Sequence, residues 1–352
     1  MTMKTLWGLC AVTVAAIVLA IVAVNSQPSF KSSDTAGEPV FPTLTNDLNR
    51  LATVVVQSKE GTYTLDFDGT SWTFRDRGGY PADGSKIAEA VIKIARMTKL
   101  EAKTKLPDRF ARLDLQDPGS KDSRAKQVTL LDKNGGVLAD VIVGKRKFTL
   151  GSKEGGTYIR LPGDDQTWLV FGELNPGEKA RDWLKRDIVD IKDDAIKQVT
   201  VTHPDGEIIV AGQSAPSDPN FKILNMPEGV EQTSDFVADD FGRLLAILLL
   251  DDVKPATEIQ FPKDQTISAD FEGFAGFHVH LDYAEIDGKH WIKVHGEPPS
   301  AASMDATAGV ETNKTEADEA GPDWAKTIAE LNDRTSGWVD ELPAHEASAL
   351  KK

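Results

Sequence analysis

The chain has 352 residues, of which 40% are hydrophobic and 27% are charged, a balance typical of a folded protein long enough for two domains. Its formal net charge of −15 repels the phosphates of nucleic acids, so we expect no nucleic-acid partner. Cys10 is the single cysteine, which excludes a disulfide framework and a thiolate metal site in the rest of the chain.

The first predicted element is a membrane anchor over residues 1–25. Its centre, Leu6–Val24, is a run of 19 residues without a charge. As a helix this run would extend ~28 Å, close to the thickness of the bilayer hydrocarbon. Lys4 precedes it, which by the positive-inside tendency directs the remaining chain out of the cytoplasm. A cleaved signal peptide is the alternative, although Val24-Asn25-Ser26 is a poor cleavage site.

Beyond the anchor, the sequence predicts a tether and then a series of β-hairpins. Residues 26–45 are rich in Ser, Pro, Thr and Asp and are expected to be flexible. The following strands alternate apolar and polar residues and are separated by short turn sequences, because Asn-Gly and Asp-Gly tolerate positive φ. The predicted turns lie at Glu60-Gly61, Asp68-Gly69, Asn134-Gly135, Asp205-Gly206 and Asp287-Gly288.

The first predicted helix of the folded region follows Ala82-Asp83. Its apolar residues recur at the spacing of one helical face: Ile87, Ala90, Val91 and Ile94. Asp83 or Ser85 is expected to cap the N-terminus of this helix. A similar order of strands, Ala-Asp pair, helix and hairpin returns at Ala238-Asp239, which predicts an internal repeat. Both aspartates are therefore interpreted as helix caps rather than as site residues.

Two further segments are predicted to be helical. They are residues 175–187 and 234–253, and the apolar run Leu244–Leu250 in the second is expected to be buried. The predicted fold class is α+β: an N-terminal transmembrane helix, then two related hairpin-rich halves. The halves are expected over residues 46–190 and 191–300, each an antiparallel sheet with an amphipathic helix.

The last part of the chain changes composition twice. Residues 296–322 are small and acidic, which predicts a disordered insertion. Residues 323–352 are amphipathic again and are predicted to be a C-terminal helical segment. The side chains expected to pack it against the second half are Trp324, Ile328, Leu331 and Trp338.

The densest group of potential metal ligands lies in the hairpin around Asp287-Gly288. If these two residues form the turn, His280 lies opposite His295, and strand alternation places four side chains on one exposed face. They are His278, His280, Asp282 and His295, weak candidates for a zinc site. A solvated polar face is the alternative. No residue is assigned a catalytic or cofactor-binding role, and no cofactor is expected.

Several stretches, taken in order, resemble a known family. They are "SWTFRDRGGYPADGSKIAEAVIKIARMTKL", "GTYIRLPGDDQTWLV", "ARDWLKRDIVDI" and "LNDRTSGWVDELPAHEASAL". Together they resemble the bacterial domain-of-unknown-function family numbered 4340, over most of residues 46–350. Ala111-Arg112-Leu113 departs from the family's common Tyr-Gly-Leu. The resemblance implies a single-pass protein of the bacterial inner membrane with its C-terminal bulk in the periplasm, associated with ABC-type export systems related to gliding-motility components.

The leading functional expectation is therefore a non-catalytic accessory or interaction protein of an ABC-type transport complex. Its expected partners are transporter subunits and, through residues 6–24, the inner membrane. One alternative is an envelope module that binds glycan or peptide through an exposed aromatic such as Trp291. The other is a metal-dependent hydrolase built on the histidine-bearing hairpin.

Overall fold

A computed structural model describes residues 36–148, 155–226, 228–229, 237–300 and 322–351. The predicted anchor, residues 26–35 of the tether, and residues 301–321 of the acidic insertion lie outside the described residues. Across the part of the chain that is described, no helix has the length and apolar character needed to cross a membrane.

Strands dominate the described residues, and the strand pairings are antiparallel, which confirms the predicted α+β class with antiparallel sheets. The α-helices are α1 (Leu44–Asp47), α2 (Gly84–Ala95), α3 (Val237–Gly242), α4 (Trp324–Thr335) and α5 (Ala344–Ala347). The strands are β1 (Leu51–Ser58), β2 (Gly61–Phe67), β3 (Trp72–Phe74), β4 (Tyr80–Pro81), β5 (Thr98–Ala102), β6 (Lys126–Asp132), β7 (Val137–Lys147), β8 (Gly156–Arg160), β9 (Thr167–Phe171), β10 (Asp187–Val189), β11 (Ile196–Thr202), β12 (Ile208–Gly212), β13 (Lys222–Ile223), β14 (Leu248–Leu249), β15 (Asp252–Pro255), β16 (Ile267–Gly273), β17 (His278–Ile286), β18 (Lys289–Glu297) and β19 (Trp338–Leu342). Short 3-10 helices lie at Leu48–Arg50, Arg75–Arg77, Pro107–Leu113, Ala180–Asp182, Asp193–Ala195 and Ser348–Lys351.

The chain folds as two compact units that draw on separate stretches of sequence. Unit 1 consists mainly of Ala88–Pro176. It also includes the described residues up to Leu51 and the short stretch Gln57–Lys59. Unit 2 combines Ala52–Val56 and Glu60–Ile87 with the chain from Gly177 onward. The repeat halves 46–190 and 191–300 stay a prediction.

Unit 1 contains five neighbouring strands in the order β6-β7-β8-β9-β5. A small apolar cluster is formed by Phe110, Leu115, Ala125 and Ile142. The Arg160 guanidinium lies 4.8 Å from the Phe110 ring centroid and donates to Asp117 at 2.5 Å, so its charge is neutralised at the edge of this cluster.

Unit 2 is built on an eight-stranded sheet in the order β13-β12-β11-β16-β17-β18-β19-β15. Helix α3 packs against β11 and β12, and α4 packs against β18 and β19. Gly296 permits the close approach of α4, because a Cβ there would lie 2.8 Å from Ile328 Cγ2. Asn332 fixes the same approach by hydrogen bonding to both the N–H and the carbonyl of Gly296, each at 2.8 Å.

The hairpin between β17 and β18 forms as predicted. Asp287 and Gly288 have φ values of 53° and 73°, and Ile286 lies opposite Lys289. Positive φ at both turn residues is what a two-residue turn of this kind requires. The predicted pairing of His280 with His295 is confirmed.

The two Ala-Asp pairs do not play the same role. The Asp83 carboxylate accepts hydrogen bonds from the N–H groups of Ser85 at 3.0 Å and Lys86 at 3.2 Å, so the predicted cap of α2 is confirmed. The same prediction is wrong for Asp239, which lies within α3 and is 2% exposed. Its carboxylate instead accepts from the N–H of Phe221 at 2.7 Å, which ties α3 to the residues before β13.

The predicted helix over residues 175–187 is also wrong. Only Ala180–Asp182 forms a 3-10 turn, and the chain is extended again at β10. The Trp183 carbonyl accepts from the N–H of Asp83, and the N–H of Lys185 donates to Pro81. Backbone bonds to a distant segment have replaced the bonds that a helix would make within itself.

The predicted helix over residues 234–253 is too long, because α3 ends at Gly242. Ile247 then takes a left-handed φ of 58°, and Leu248–Leu249 pairs with β10 as strand β14. The predicted burial of this apolar run is confirmed for most of its leucines: Leu244, Leu245, Leu248 and Leu250. Ile247 is the exception, at 64% exposed.

The C-terminal segment contains a strand as well as helices. Between α4 and α5 the chain forms β19, which pairs with both β15 and β18. Ile328 and Leu331 are fully buried, and the Trp324 ring stacks on Phe277 with ring centroids 4.4 Å apart. The expected docking of these three side chains is therefore confirmed.

Candidate functional site

Unit 2 carries an exposed, mainly polar sheet surface, here called the open face. It consists of side chains of β11, β12, β16, β17 and β18 that point away from the packed helices. Cross-strand register aligns them in rows: Gly212, Gln198, Glu272, His278 and Glu297; Val210, Thr200, Asp270, His280 and His295; Ile208, Thr202, Ser268, Asp282 and Lys293. The alternate residues on the same strands are buried, among them Val199, Phe271 and Leu281.

Ion pairing dominates the centre of the open face. His280 Nδ1 lies 2.7 Å from Asp270 Oδ1, and His280 Nε2 lies 3.1 Å from Asp282 Oδ1. Hydrogen bonding to Asp282, together with Asp270 and against the effect of burial, raises the pKa of His280 to about 9. The same contact lowers the pKa of Asp282. His280 is therefore a cation at neutral pH.

The predicted metal candidates do share this face. His278, His280 and His295 are exposed and Asp282 is half-buried. A zinc ligand must be a neutral imidazole, whereas both nitrogens of His280 face carboxylates. Within the described residues, His, Cys, Asp and Glu side chains form no group of three or more that could hold a metal ion.

One edge of the open face is apolar. Leu224 is 58% exposed and Ile208 is 51% exposed. The N–H of Leu224 donates to Val210, and a Cβ at Gly212 would lie 2.9 Å from Leu224 Cδ1, so the leucine side chain lies over β12 on the open face. An apolar strip thus borders the polar rows.

A second feature of unit 2 is a cleft of about 370 Å³, here called the charged cleft. It is lined by four cationic and four anionic side chains, with a tyrosine: Arg77, Lys179, Arg181, Lys289, Glu60, Asp251, Asp252, Glu341 and Tyr63. These residues come from β2 and the turn before it, from two 3-10 helices with their flanking residues, from β15 and the residue before it, and from β18 and β19. Charges of both signs therefore balance in a chain that is strongly acidic as a whole.

The carboxylates of the charged cleft would repel one another without their counter-ions. Asp252 and Glu341 are direct partners across β15 and β19, an unfavourable arrangement for two like charges. Arg77 forms a two-point contact with Asp252, at 2.5 Å from Nε and 2.9 Å from Nη2. Lys289 Nζ lies 2.5 Å from Glu341 Oε2. These pairs place a cation against each carboxylate at the cleft wall.

Two arginines pair with Asp251. Arg181 Nη1 lies 3.0 Å from Asp251 Oδ2, and Arg186 Nη2 lies 3.1 Å from Oδ1. Arg186 Nε also donates to the Leu250 carbonyl at 2.7 Å. Arg186 is thereby held in place, while Arg181 lines the cleft and bonds to Asp251 through Nη1.

The suggestion that Trp291 is an exposed aromatic anchor is wrong. Its side chain is 1% exposed, and the ammonium groups of Lys254 and Lys289 lie 5.4 Å and 5.7 Å from its ring centroid. Alternation does place Trp291 on the same side of β18 as His295, but at this end of the sheet the surface is covered. The cations over the ring contribute to that cover.

The fold defines an antiparallel α+β protein with one helix-packed sheet face and one open face. The family model described as "Domain of unknown function (DUF4340)" matches residues 72–248. The chain therefore belongs to this family. No curated protein and no solved structure matches the chain.

Proposed function

We propose that this protein is a non-catalytic interaction subunit of an ABC-type transport complex, held at the bacterial inner membrane by Leu6–Val24, with its C-terminal bulk in the periplasm. Family membership over residues 72–248 and the uncharged N-terminal run support this proposal. The observation that carries it is the open face, because one side of an eight-stranded sheet is packed by helices while the other is presented outward.

The composition of the open face suits a protein partner. Protein interfaces combine an apolar centre with a polar rim, and exposed apolar patches mark such sites. Ile208 and Leu224 supply adjoining apolar side chains at one edge, with Met226 at 37% exposed further along the chain. Thr200 and Thr202 on the neighbouring strand supply short polar groups that lose little entropy on binding.

The electrostatics of the same face favour binding over catalysis. A general base that works near neutral pH needs a pKa close to the operating pH. His280, with a pKa of about 9, holds its proton between two carboxylates. The group is suited to fixing the shape and charge pattern of the surface.

Co-purification of the full chain from a mild detergent tests this proposal. The double variant Ile208→Lys and Leu224→Lys places two charges on the apolar edge, and we expect it to lose transporter ATPase and permease subunits that the wild type retains. The matched control is Val137→Lys in unit 1, since Val137 is equally accessible at 62% exposed. Recovery of the same subunits with both variants, or with none of the three proteins, would contradict the proposal.

A further inference from the structure

The charged cleft contains polar groups that its own ion pairs leave unused. Tyr63 is 6% exposed and lines the cleft, yet its hydroxyl has no hydrogen-bond partner among the described residues. Burial raises the pKa of Tyr63, so the hydroxyl is neutral and able to donate. The hydroxyl itself lies at the cleft surface, so it can donate to a ligand or to water.

Three more groups of the cleft have hydrogen-bonding capacity left: the Lys179 ammonium, part of the Arg181 guanidinium and one oxygen of Glu341. No carboxylate of the described chain lies within ion-pair distance of Lys179 Nζ. Arg181 engages Asp251 through Nη1 alone, which leaves Nε and Nη2 for another acceptor. Glu341 uses Oε2 for Lys289, while Oε1 accepts from no donor in the described residues.

We propose that the charged cleft binds short peptides that carry both a free ammonium and a free carboxylate. The peptide carboxylate is bound by Lys179 and Arg181, the ammonium by Glu341 Oε1, and Tyr63 donates its hydroxyl to a peptide oxygen. Charge-assisted hydrogen bonds of this kind are among the stronger ones in proteins.

The balance of the lining selects for a zwitterion. A simple anion entering the cleft would meet the carboxylates of Asp251, Asp252 and Glu341, and a simple cation would meet Arg77 and Lys289. A ligand with both charges places each against its complement, and specificity then rests on unfavourable contacts for the others. The volume of about 370 Å³ accommodates a ligand of two or three residues.

This site is separate in its residues from the open face, so each proposal can fail without the other. The test is calorimetric titration of the full chain in detergent with triglycine, N-acetyl-triglycine and triglycinamide at low ionic strength. Each blocked peptide lacks one charge-assisted contact, so we expect triglycine to bind about tenfold more tightly than either. Equal affinity for triglycine and a blocked form, or no heat with triglycine, overturns the proposal.

Two variants locate the binding. Lys179→Gln is expected to weaken triglycine binding about fivefold or more, and Tyr63→Phe to weaken it by a smaller factor while the fold is kept. Lys326→Gln is the matched control, because Lys326 is an exposed lysine of unit 2 on α4, away from the cleft lining. Circular dichroism confirms the fold of each variant. Loss of affinity in the control alone, or in none of the variants, would place the peptide elsewhere and refute the assignment.

Discussion

The two faces of the eight-stranded sheet in unit 2 differ in what they do for the molecule. On the helix-packed face, neighbouring strands contribute Phe271 and Leu281, both fully buried. The residues that directly precede these two, Asp270 and His280, lie on the open face, where His280 Nδ1 is 2.7 Å from Asp270 Oδ1. A strand alternates its side chains between faces, so the same segments supply stability on one side and a binding surface on the other. Substitutions one residue apart should therefore have different consequences.

The largest effect is expected on the helix-packed face. Leu281→Ala removes a fully buried side chain and should lower the free energy of unfolding by about 2–5 kcal/mol, because it leaves a cavity in the core on this face of the sheet. Urea denaturation measures this loss. Lys293→Ala on the adjacent strand is the control, with a change within about 0.5 kcal/mol. Similar losses for both variants would remove the distinction between the faces.

The second effect concerns Asp340, whose register partner Ile292 lies on the helix-packed face. Burial raises the pKa of Asp340 to about 7 from its ordinary 3.8. Between these values the folded state keeps a proton that the unfolded state releases, so stability falls as pH rises through this window and stays reduced above it. Asp340→Asn should remove this penalty and be more stable than the wild type at pH 8, by about 2–4 kcal/mol.

The melting temperature of Asp340→Asn at pH 8 and pH 5 checks this expectation. The advantage over the wild type should shrink at the lower pH, where the wild-type carboxyl is already protonated. An Asp282→Asn variant on the open face should show no such gain. An advantage for Asp340→Asn that is the same at both pH values would contradict the role assigned to the buried carboxyl.

The third effect separates the two aspartates that follow alanine. Asp239→Ala leaves the N–H of Phe221 without its acceptor in a buried place, which should cost about 1–3 kcal/mol. Asp83→Ala removes a helix cap at a partly exposed position and should cost about 1 kcal/mol. Chemical denaturation ranks the two. A larger loss for Asp83→Ala would mean that the buried tie matters less than the cap.

The smallest effect is expected for His280→Gln. The folded pKa of His280, about 9, lies above the ordinary 6.5, so its ion pairs stabilise the fold fully below pH 6.5 and are lost as pH rises through 9. The side chain is 45% exposed, so solvent screening keeps the effect below about 1 kcal/mol. Stability curves between pH 6 and 10 should be flatter for the variant. An identical pH dependence in both proteins would show that the pairs contribute nothing.

Local signals in the sequence were enough to predict the elements that local chemistry determines. Asp287-Gly288 fixed the register of β17 and β18, because both turn residues tolerate positive φ. Asp83 and the apolar spacing after it located α2. The same signals misplaced Asp239, since a short polar residue before apolar ones can also accept a hydrogen bond from a distant strand.

The remaining features depend on contacts between residues far apart in the chain. The segment around Trp183 has helix-favouring residues, but its backbone bonds to Pro81 and Asp83. The charged cleft joins Arg77 to Asp252, which are separated by 175 positions. No periodicity or spacing rule relates such residues, so the sequence predicted neither the cleft nor the cover over Trp291.

Site-specific photo-cross-linking in intact cells tests the central claim most directly. A photoreactive amino acid at His295 reports on the open face, and one at Lys326 on α4 reports on the helix side of the same unit, where the lysine side chain is 72% exposed. We expect covalent adducts with transporter subunits from position 295 and none from position 326. Adducts from position 326 alone, or equal yields from both positions, would contradict the claim that the open face is the surface that binds the transporter.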